Sequence, residues 1–524
     1  MWDITRSILT LLNLLALSRE EVLKAIVKNH TVLRLLFRLA ATDVAPQEIF
    51  EEALSCLMTL SEDNLELGQA MTNDQETQCY DVLLKLATGT GPRAVLSCGV
   101  LHNVFASLQW LDHSPGKDGA CDAVLIPSLA RVLEQVTPST ATANGGSDLA
   151  EITLVALEIL ASIGTDFQET LVKGNRAPLD PAKANEEWNG IDDADAGADG
   201  DAMDVDDGMD DGPERADEDE EEGDEDEEEG DDDSVNSDIE ADMDRVTGGE
   251  GSGAGDIDDL PTLRELIQRA VPQLIRLSNI PVSSEETLAI QSRSLSALSN
   301  IAWTISCLEF SNGENAHIFG AWYPTAKKIW RKTIASILET DSADLNLATQ
   351  VTSLAWAVAR TLNGETPAEG SQHRKFISLY HASKNQPQEP EDAGDEAQDP
   401  FQGLGVKCIG VLGALARDPA PLEVNREVGV FLMTLLSNEA SPPADIVEAL
   451  NQVFDVYGEE ELACDREVFW KDGFLKHLEE FVPKLKALAK GIDKRTQAEL
   501  RTRADEAGLN LGRFVQYKKK HVPK

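Results

Sequence analysis

The sequence predicts an all-α fold, a solenoid of stacked helical units broken by a long acidic insertion, and three observations carry that prediction. First, an apolar signature returns along the chain. Its clearest copy is Ser296-Ala297-Leu298-Ser299-Asn300-Ile301-Ala302-Trp303, and an Asn again sits inside an apolar run at Leu11-Leu12-Asn13-Leu14-Leu15-Ala16 and Leu101-His102-Asn103-Val104-Phe105-Ala106. Looser copies begin at Ala53, Ala156, Ser353, Cys408 and Ala449. The copies lie about 40 to 57 residues apart where no insertion intervenes, which is the armadillo/HEAT period with or without a loop. Such a unit cannot cover its own apolar face, so neighbours stack and bury it. Second, Leu and Ala dominate and aromatics are only 5% of residues, which suits packed helices better than sheets. Third, Asp192 to Asp244 hold about 30 of the 94 acidic residues against Arg215 alone, so more than half of the net charge of -49 lies in about a tenth of the chain.

Trp2 to Leu17 reads as a helix. The chain opens inside it rather than with a polar-faced capping repeat, which implies a native start upstream. Ser18 and Glu21 have capping-box spacing, so a second helix is expected to start at Ser18 and to run through Val22, Leu23, Ile26 and Val27. Val32 to Leu39 continues the pattern, Thr42 to Pro46 breaks it, and Phe50 to Leu60 is the next buried helix. Asp81 to Ala87, Val95 to Leu111, Ala123 to Val136 and Ala150 to Ile163 follow, separated by Gly- and Pro-containing breaks. Residues 1–173 thus make an N-terminal arm of armadillo/HEAT-like repeats. Hydrophobic periodicity then vanishes over 174–258, a stretch that cannot bury enough surface to offset its ordering entropy and is expected to be a disordered acidic loop.

Order is expected to resume at Thr262, three residues before Glu265 and again with capping-box spacing. Leu263 to Leu277, Ser284 to Cys307, Trp322 to Leu338 and Leu345 to Leu362 read as helices, and a smaller acidic, Pro-rich insertion spans 385–400. Gly403 to Ala416, Asn425 to Leu436, Ala444 to Val456, Phe469 to Leu488 and Lys494 to Ala507 complete a C-terminal arm of HEAT-like repeats over 259–524. The closing Lys518-Lys519-Lys520 reads as a solvated tail, with a nuclear-localisation or nucleic-acid element as the alternative.

Several function classes drop out. No apolar run reaches the roughly 18 residues of a membrane span and no signal-peptide cleavage site follows Met1, which points to cytosol or nucleus. The seven cysteines are scattered without a CxxC and read as reduced core thiols. Cys98 and His102, four apart, could form half a zinc site, but no second pair of suitable spacing exists and a structural role is expected. There is no phosphate-binding glycine loop, GxSxG or HExxH, so no enzyme, cofactor or metal is expected. The acidity itself repels nucleic acid and anionic membranes and attracts basic proteins.

Binding suits this architecture. Inner helices stacked at about 9 Å would line a concave surface some 60 to 70 Å long, enough for an extended peptide of about 20 residues. Asn13, Asn103 and Asn300 would either grip the backbone of such a peptide or bridge adjacent repeats, since an amide both donates and accepts. Trp303 and Trp356, like Trp110, Trp322 and Trp330, read first as core packing and second as peptide-stacking surfaces. The acidic tract, with Asp217, Glu218, Asp219, Glu220, Glu221, Glu222, Asp224, Glu225, Asp226, Glu227, Glu228, Glu229, Asp231, Asp232 and Asp233 at its centre, would either act as a solubilising linker or fold over a basic cargo held nearby.

The Ala297 to Trp303 repeat, the acidic insertion between two arms, and the closing Asn510-Leu511-Gly512-Arg513-Phe514-Val515-Gln516-Tyr517 together resemble the symportin family, over nearly the whole chain. These are armadillo/HEAT adaptors for the ribosomal proteins that partner 5S ribosomal RNA. The resemblance implies a monomeric adaptor whose groove holds the extended N-terminal segment of a uL18-family protein while a uL5-family protein docks beside it and the acidic loop covers basic surface. It implies synchronised nuclear import, 5S ribonucleoprotein assembly, shuttling between cytoplasm and nucleus, and nucleic-acid contact only through cargo. It also implies a transportin-type importin that reads an N-terminal Pro-Tyr signal, although none of Tyr80, Tyr323, Tyr380, Tyr457 and Tyr517 follows a proline. The residues alone leave open a karyopherin-like or histone-chaperone-like scaffold for other basic cargo.

Overall fold

The computed structural model describes residues 2–42, 44–137, 147–174, 257–310, 313, 315–340, 344–384 and 399–523. All but the ends of the acidic segment expected over 174–258, and most of the one at 385–400, therefore lie outside the described residues. Met1–Gly174 and Ala254–Lys524 belong to one compact unit. Its helices are α1 Trp2–Ser18, α2 Glu20–Val27, α3 His30–Ala41, α4 Gln47–Ser61, α5 Leu65–Thr72, α6 Cys79–Ala87, α7 Pro92–Leu108, α8 Ile126–Glu134 and α9 Ser147–Gly174. After the insertion come α10 Pro261–Glu265, α11 Val271–Ser278, α12 Glu285–Ser306, α13 Ala316–Ile329, α14 Ala335–Leu338, α15 Leu345–Leu362 and α16 Gln372–Lys384. The last are α17 Leu404–Ala416, α18 Leu422–Ser437, α19 Pro443–Tyr457, α20 Phe474–Gly491 and α21 Ala498–Lys520. No strand occurs among the described residues.

Local chemistry sets many of the helix ends. The Asn29 side chain accepts the N–H groups of Thr31 and Val32 and so caps α3. Ser284 and Thr287 form a reciprocal capping box at α12, and Asp344 accepts from Asn346 and Leu347 at α15. Gln109 and Asn363 take up left-handed backbone and end α7 and α15. Pro272 lacks an N–H and its ring crowds the preceding turn; the chain there widens into a π turn over Leu266–Ala270.

Two expected starts are corrected. The Ser18 hydroxyl donates to the Leu15 carbonyl at 2.7 Å and closes α1, while α2 begins at Glu20 without a side-chain cap. Thr262 does not pair with Glu265. Asp112, 150 residues upstream, accepts both its N–H (2.9 Å) and its hydroxyl (2.6 Å). Two helices, α5 and α16, have no counterpart in the sequence reading. The first is short and contains Gly68; the second buries the rings of His373, Phe376 and Tyr380.

The helices stack in two layers. In one, α1, α4, α7, α9, α12, α15, α17, α19 and α21 pack side by side in chain order. The second layer touches itself more sparsely, through α3 with α6, α8 with α11, and α16, α18 and α20 in turn. The chain on either side of the insertion meets at the pair α9 and α12. A Cβ at Gly164 would stand 2.7 Å from Ile301 Cγ1 and 3.1 Å from its N, so only a glycine admits this approach. Asn300 Nδ2 donates to the Ala161 carbonyl (3.1 Å) and Thr165 Oγ1 (3.0 Å), and Thr304 Oγ1 donates to the Gly164 carbonyl (2.9 Å). In the other layer the Arg276 guanidinium, on α11, donates to the Leu133 and Val136 carbonyls at 2.6 and 2.7 Å, satisfying acceptors at the end of α8. The repeat solenoid is thus continuous across the insertion.

The basic end is not a solvated tail. α21 runs unbroken to Lys520, and Lys518 is wholly buried with Nζ 2.7 Å from Asp465 Oδ1, among the rings of Phe469, Phe514 and Tyr517. Asp465 also accepts from Trp470 Nε1 at 3.0 Å, and Lys519 pairs with Glu479. The tripeptide's spacing gave no sign of this, because the partner carboxylate comes from a distant turn.

Gly164→Val is expected to destabilise the fold by about 1 to 3 kcal/mol through overpacking, read as a lowered denaturant midpoint. Lys518→Ala, which strands Asp465 in the interior, should cost about 3 to 5 kcal/mol. Denaturation of the Lys518→Met, Asp465→Leu double variant should recover most of that loss.

Candidate functional site

The tight layer keeps one face free of the second layer, and the predicted residues sort themselves on it. Asn103 Nδ2 donates to the Met58 carbonyl at 2.9 Å and to Ser61 Oγ at 3.3 Å, which is what Asn300 does two junctions later with Ala161 and Thr165. Each amide therefore bridges its helix to the preceding one. Their Oδ1 atoms have no partner among the described residues, so the acceptor side is unused. Asn13, on α1, is partly buried with Oδ1 unpaired. Asn13 and Asn103 lie on earlier helices of the stack and do not join the remaining predicted residues.

Asn300, Trp303 and Trp356 do come together. Trp303 and Trp356 occupy the same register in successive repeats, and their rings meet edge to face with centroids 5.2 Å apart. Trp303 keeps 39% of its surface in solvent, and the Arg360 guanidinium stands 5.8 Å from its ring. Trp356 lies over Gly410 of α17, where any Cβ would overlap the indole. These residues line a cleft of about 450 Å³ with Thr165, Gln168, Ser296, Ser299, Thr304, Gln350, Ser353, Gln402 and Lys407. Lys407 is partly buried and has no carboxylate partner among the described residues, and burial holds its ammonium below the usual lysine value. The expectation for Trp303 changes accordingly: much of its ring is presented, not packed away. Trp322 and Trp330 are wholly buried, and Trp110 packs edge-on against Tyr80.

A second cleft on this layer escaped the sequence reading. Asn451, Phe454 and Asp455 of α19 face Asn510, Arg513, Phe514 and Tyr517 of α21 around about 590 Å³. Asn451 stands in its repeat where Asn300 stands in its own, and that register was the available signal. The acidic residues from Asp217 to Asp233 lie outside the described residues.

Cys98 and His102 do not converge on a common ligand. The Cys98 thiol donates to the Ala87 carbonyl at 3.8 Å, and burial pushes it up to about 12. His102 is buried with Nδ1 3.0 Å from Asp122 and Nε2 2.9 Å from Ser162 and 3.4 Å from Asp166. Among the described residues no cluster of three or more His, Cys, Asp or Glu could hold a metal, and no helix is long and apolar enough to cross a membrane.

Two helical layers, with amide- and indole-lined clefts along one of them, define an armadillo/HEAT-type repeat scaffold. Comparison with known proteins is specific. The chain is 70% identical over 528 residues to Symportin 1 of Chaetomium thermophilum, a match covering all of this chain and 78% of the relative. The chain belongs to the symportin family. The family described as SYO1-like, TPR repeats matches residues 264–522. The 40- to 57-residue spacing, read as about the armadillo/HEAT period, exceeds that of a TPR. Lower similarity extends to the Schizosaccharomyces pombe armadillo repeat protein involved in nucleocytoplasmic transport, Syo2, at 29% identity over 43% of this chain and 32% of that one. The Saccharomyces cerevisiae Synchronized import protein 1 is 31% identical over 22% of this chain and 19% of its own length.

Burial works against the charged form of His102, but the Asp122 and Asp166 carboxylates outweigh it and raise the imidazole above its usual value. A raised folded-state pKa stabilises fully below the unfolded value of about 6.5 and fades as pH climbs through the folded one. The stability gap between the native chain and His102→Gln, followed by urea unfolding, should therefore be widest in mild acid and narrow toward alkaline pH.

Proposed function

We propose that this protein is a non-enzymatic import adaptor that holds two basic large-subunit ribosomal proteins, of the uL18 and uL5 families, for synchronised nuclear entry and 5S ribonucleoprotein assembly. The observation that carries the reading is the exposed Trp303 beside the unused Asn300 acceptor. A large indole left in water mid-stack, next to a free backbone-type acceptor, suits an extended guest chain far better than it suits packing. The names of the relatives, one for synchronised import and one for nucleocytoplasmic transport, support the import part of this reading.

In this reading the N-terminal segment of the uL18-family protein runs along the tight layer, across the Trp303/Trp356 cleft and the Asn451/Arg513 cleft. The uL5-family protein docks beside it. Residues 1–173 and 259–524 act as the holding arms, and the acidic stretch between them, around Asp217 to Asp233, covers basic surface that would otherwise meet RNA. The adaptor shuttles between cytoplasm and nucleus with an importin of the transportin type.

Size exclusion of the full chain mixed with both ribosomal proteins should give a stable ternary complex. A variant lacking Asp192 to Asp244 should lose cargo mainly at low salt, where charge attraction is least screened. Retention of histones in place of the two ribosomal proteins would overturn the cargo assignment.

A further inference from the structure

We infer that the cleft between α12, α15 and α17 is a carboxylate-reading subsite: Lys407 receives the side chain of an Asp or Glu in the bound guest, while Trp303 and Trp356 pack against the residue beside it. The inference rests on the peptide-holding role proposed above and says which residue the guest must place here.

Charge is the first ground. The chain has 94 Asp and Glu against 45 Lys and Arg, so carboxylates are in excess for every lysine. Lys24, Lys117, Lys384, Lys471, Lys518 and Lys519 each reach one. Lys407 is partly withdrawn from water and reaches none among the described residues; its cleft neighbours are amides, hydroxyls and indoles. An exposed lysine loses little by standing alone, but one drawn into an indole-lined recess gives up hydration with nothing in return. A carboxylate entering that recess supplies the counter-charge where the local dielectric makes it count most.

Second donors and a barrier to the opposite charge complete the site. Ser299 Oγ, on the same lining, is buried without a partner and can donate to the second carboxylate oxygen. Arg360, over Trp303, adds another positive charge at the rim. A lysine or arginine of the guest would be repelled from this cleft. In a predominantly basic guest the subsite therefore sets the register, by accepting the acid and rejecting its neighbours. The space, about 450 Å³, accommodates one acidic side chain with part of an adjoining apolar one.

The test uses the full chain, its Lys407→Met and Lys407→Glu variants, and a positional-scanning library of short peptides, acetylated and amidated so that no terminal charge remains. The native chain should select Asp or Glu at one position next to an aromatic or aliphatic residue, and changing that acid to its amide should weaken binding about tenfold. Lys407→Met should erase the discrimination without lowering the melting temperature, since it removes an uncompensated charge; Lys407→Gln replaces it if Lys407→Met fails to fold. Lys407→Glu should turn the preference toward Lys or Arg. Absence of an acidic preference, or one that survives Lys407→Met, overturns the inference. The uL18-family segment, measured in parallel, separates the two ideas. If it fails to bind while acidic library peptides bind, the guest was wrong and the subsite stands. If it binds equally well with every Asp and Glu amidated, the guest stands and the subsite falls.

Discussion

Everything in this molecule that depends on one continuous stack depends on the contact between α9 and α12. In a repeat protein each unit touches only its neighbours, so a weak junction separates the chain into independent halves. Here the junction spans an insertion, and sequence neighbours cannot hold it. A glycine that lets two backbones close to near contact, and two polar side chains that return hydrogen bonds to the carbonyls of the opposing helix, do so instead. Asp112 with Thr262 and Arg276 with the end of α8 fasten the same boundary from the other layer. Because these contacts are short and directional, the two arms share one orientation and one uninterrupted face.

That junction also explains where the Trp303/Trp356 cleft lies. Asn300 serves the seam with its Nδ2 and leaves its Oδ1 unused, and Trp303 stands one turn further along the same helix. The cleft is thus assembled at the first helices after the boundary, where α12, α15 and α17 follow one another. Gly410 under Trp356 lets α17 approach α15 closely enough for the lining to be shared. Helices, not loops, hold the Asn300, Trp303, Trp356 and Lys407 side chains.

Much of this was legible from residue order. Leu345–Leu362 and the α12 helix were read almost to the residue, because long apolar periodicity leaves little freedom, whereas the repeat pattern named Asn300, Trp303 and Trp356 together with Asn13 and Asn103, which lie on earlier helices. What stayed hidden was tertiary. Ser18 and Thr262 carry the spacing of a cap but spend their hydroxyls elsewhere, Thr262 on a carboxylate 150 residues away. Lys518 looked like part of a soluble tail until its helix was seen to thread it against Asp465. Lys407 belongs to no motif at all, and its isolation appears only when its surroundings are assembled. Helices α5 and α16 were missed because one is short and the other buries aromatic and imidazole rings in place of aliphatic side chains.

The unequal placement of the tryptophans has an optical consequence. Trp322 and Trp330 emit from a nonpolar interior, whereas Trp303 is the indole among the described residues that stands exposed to water. Covering or uncovering that ring alters its emission while leaving the interior pair unchanged. Under the proposed function, the empty and filled forms of the cleft would differ in ultraviolet fluorescence with no dye attached, and the protein would carry its own reporter of occupancy.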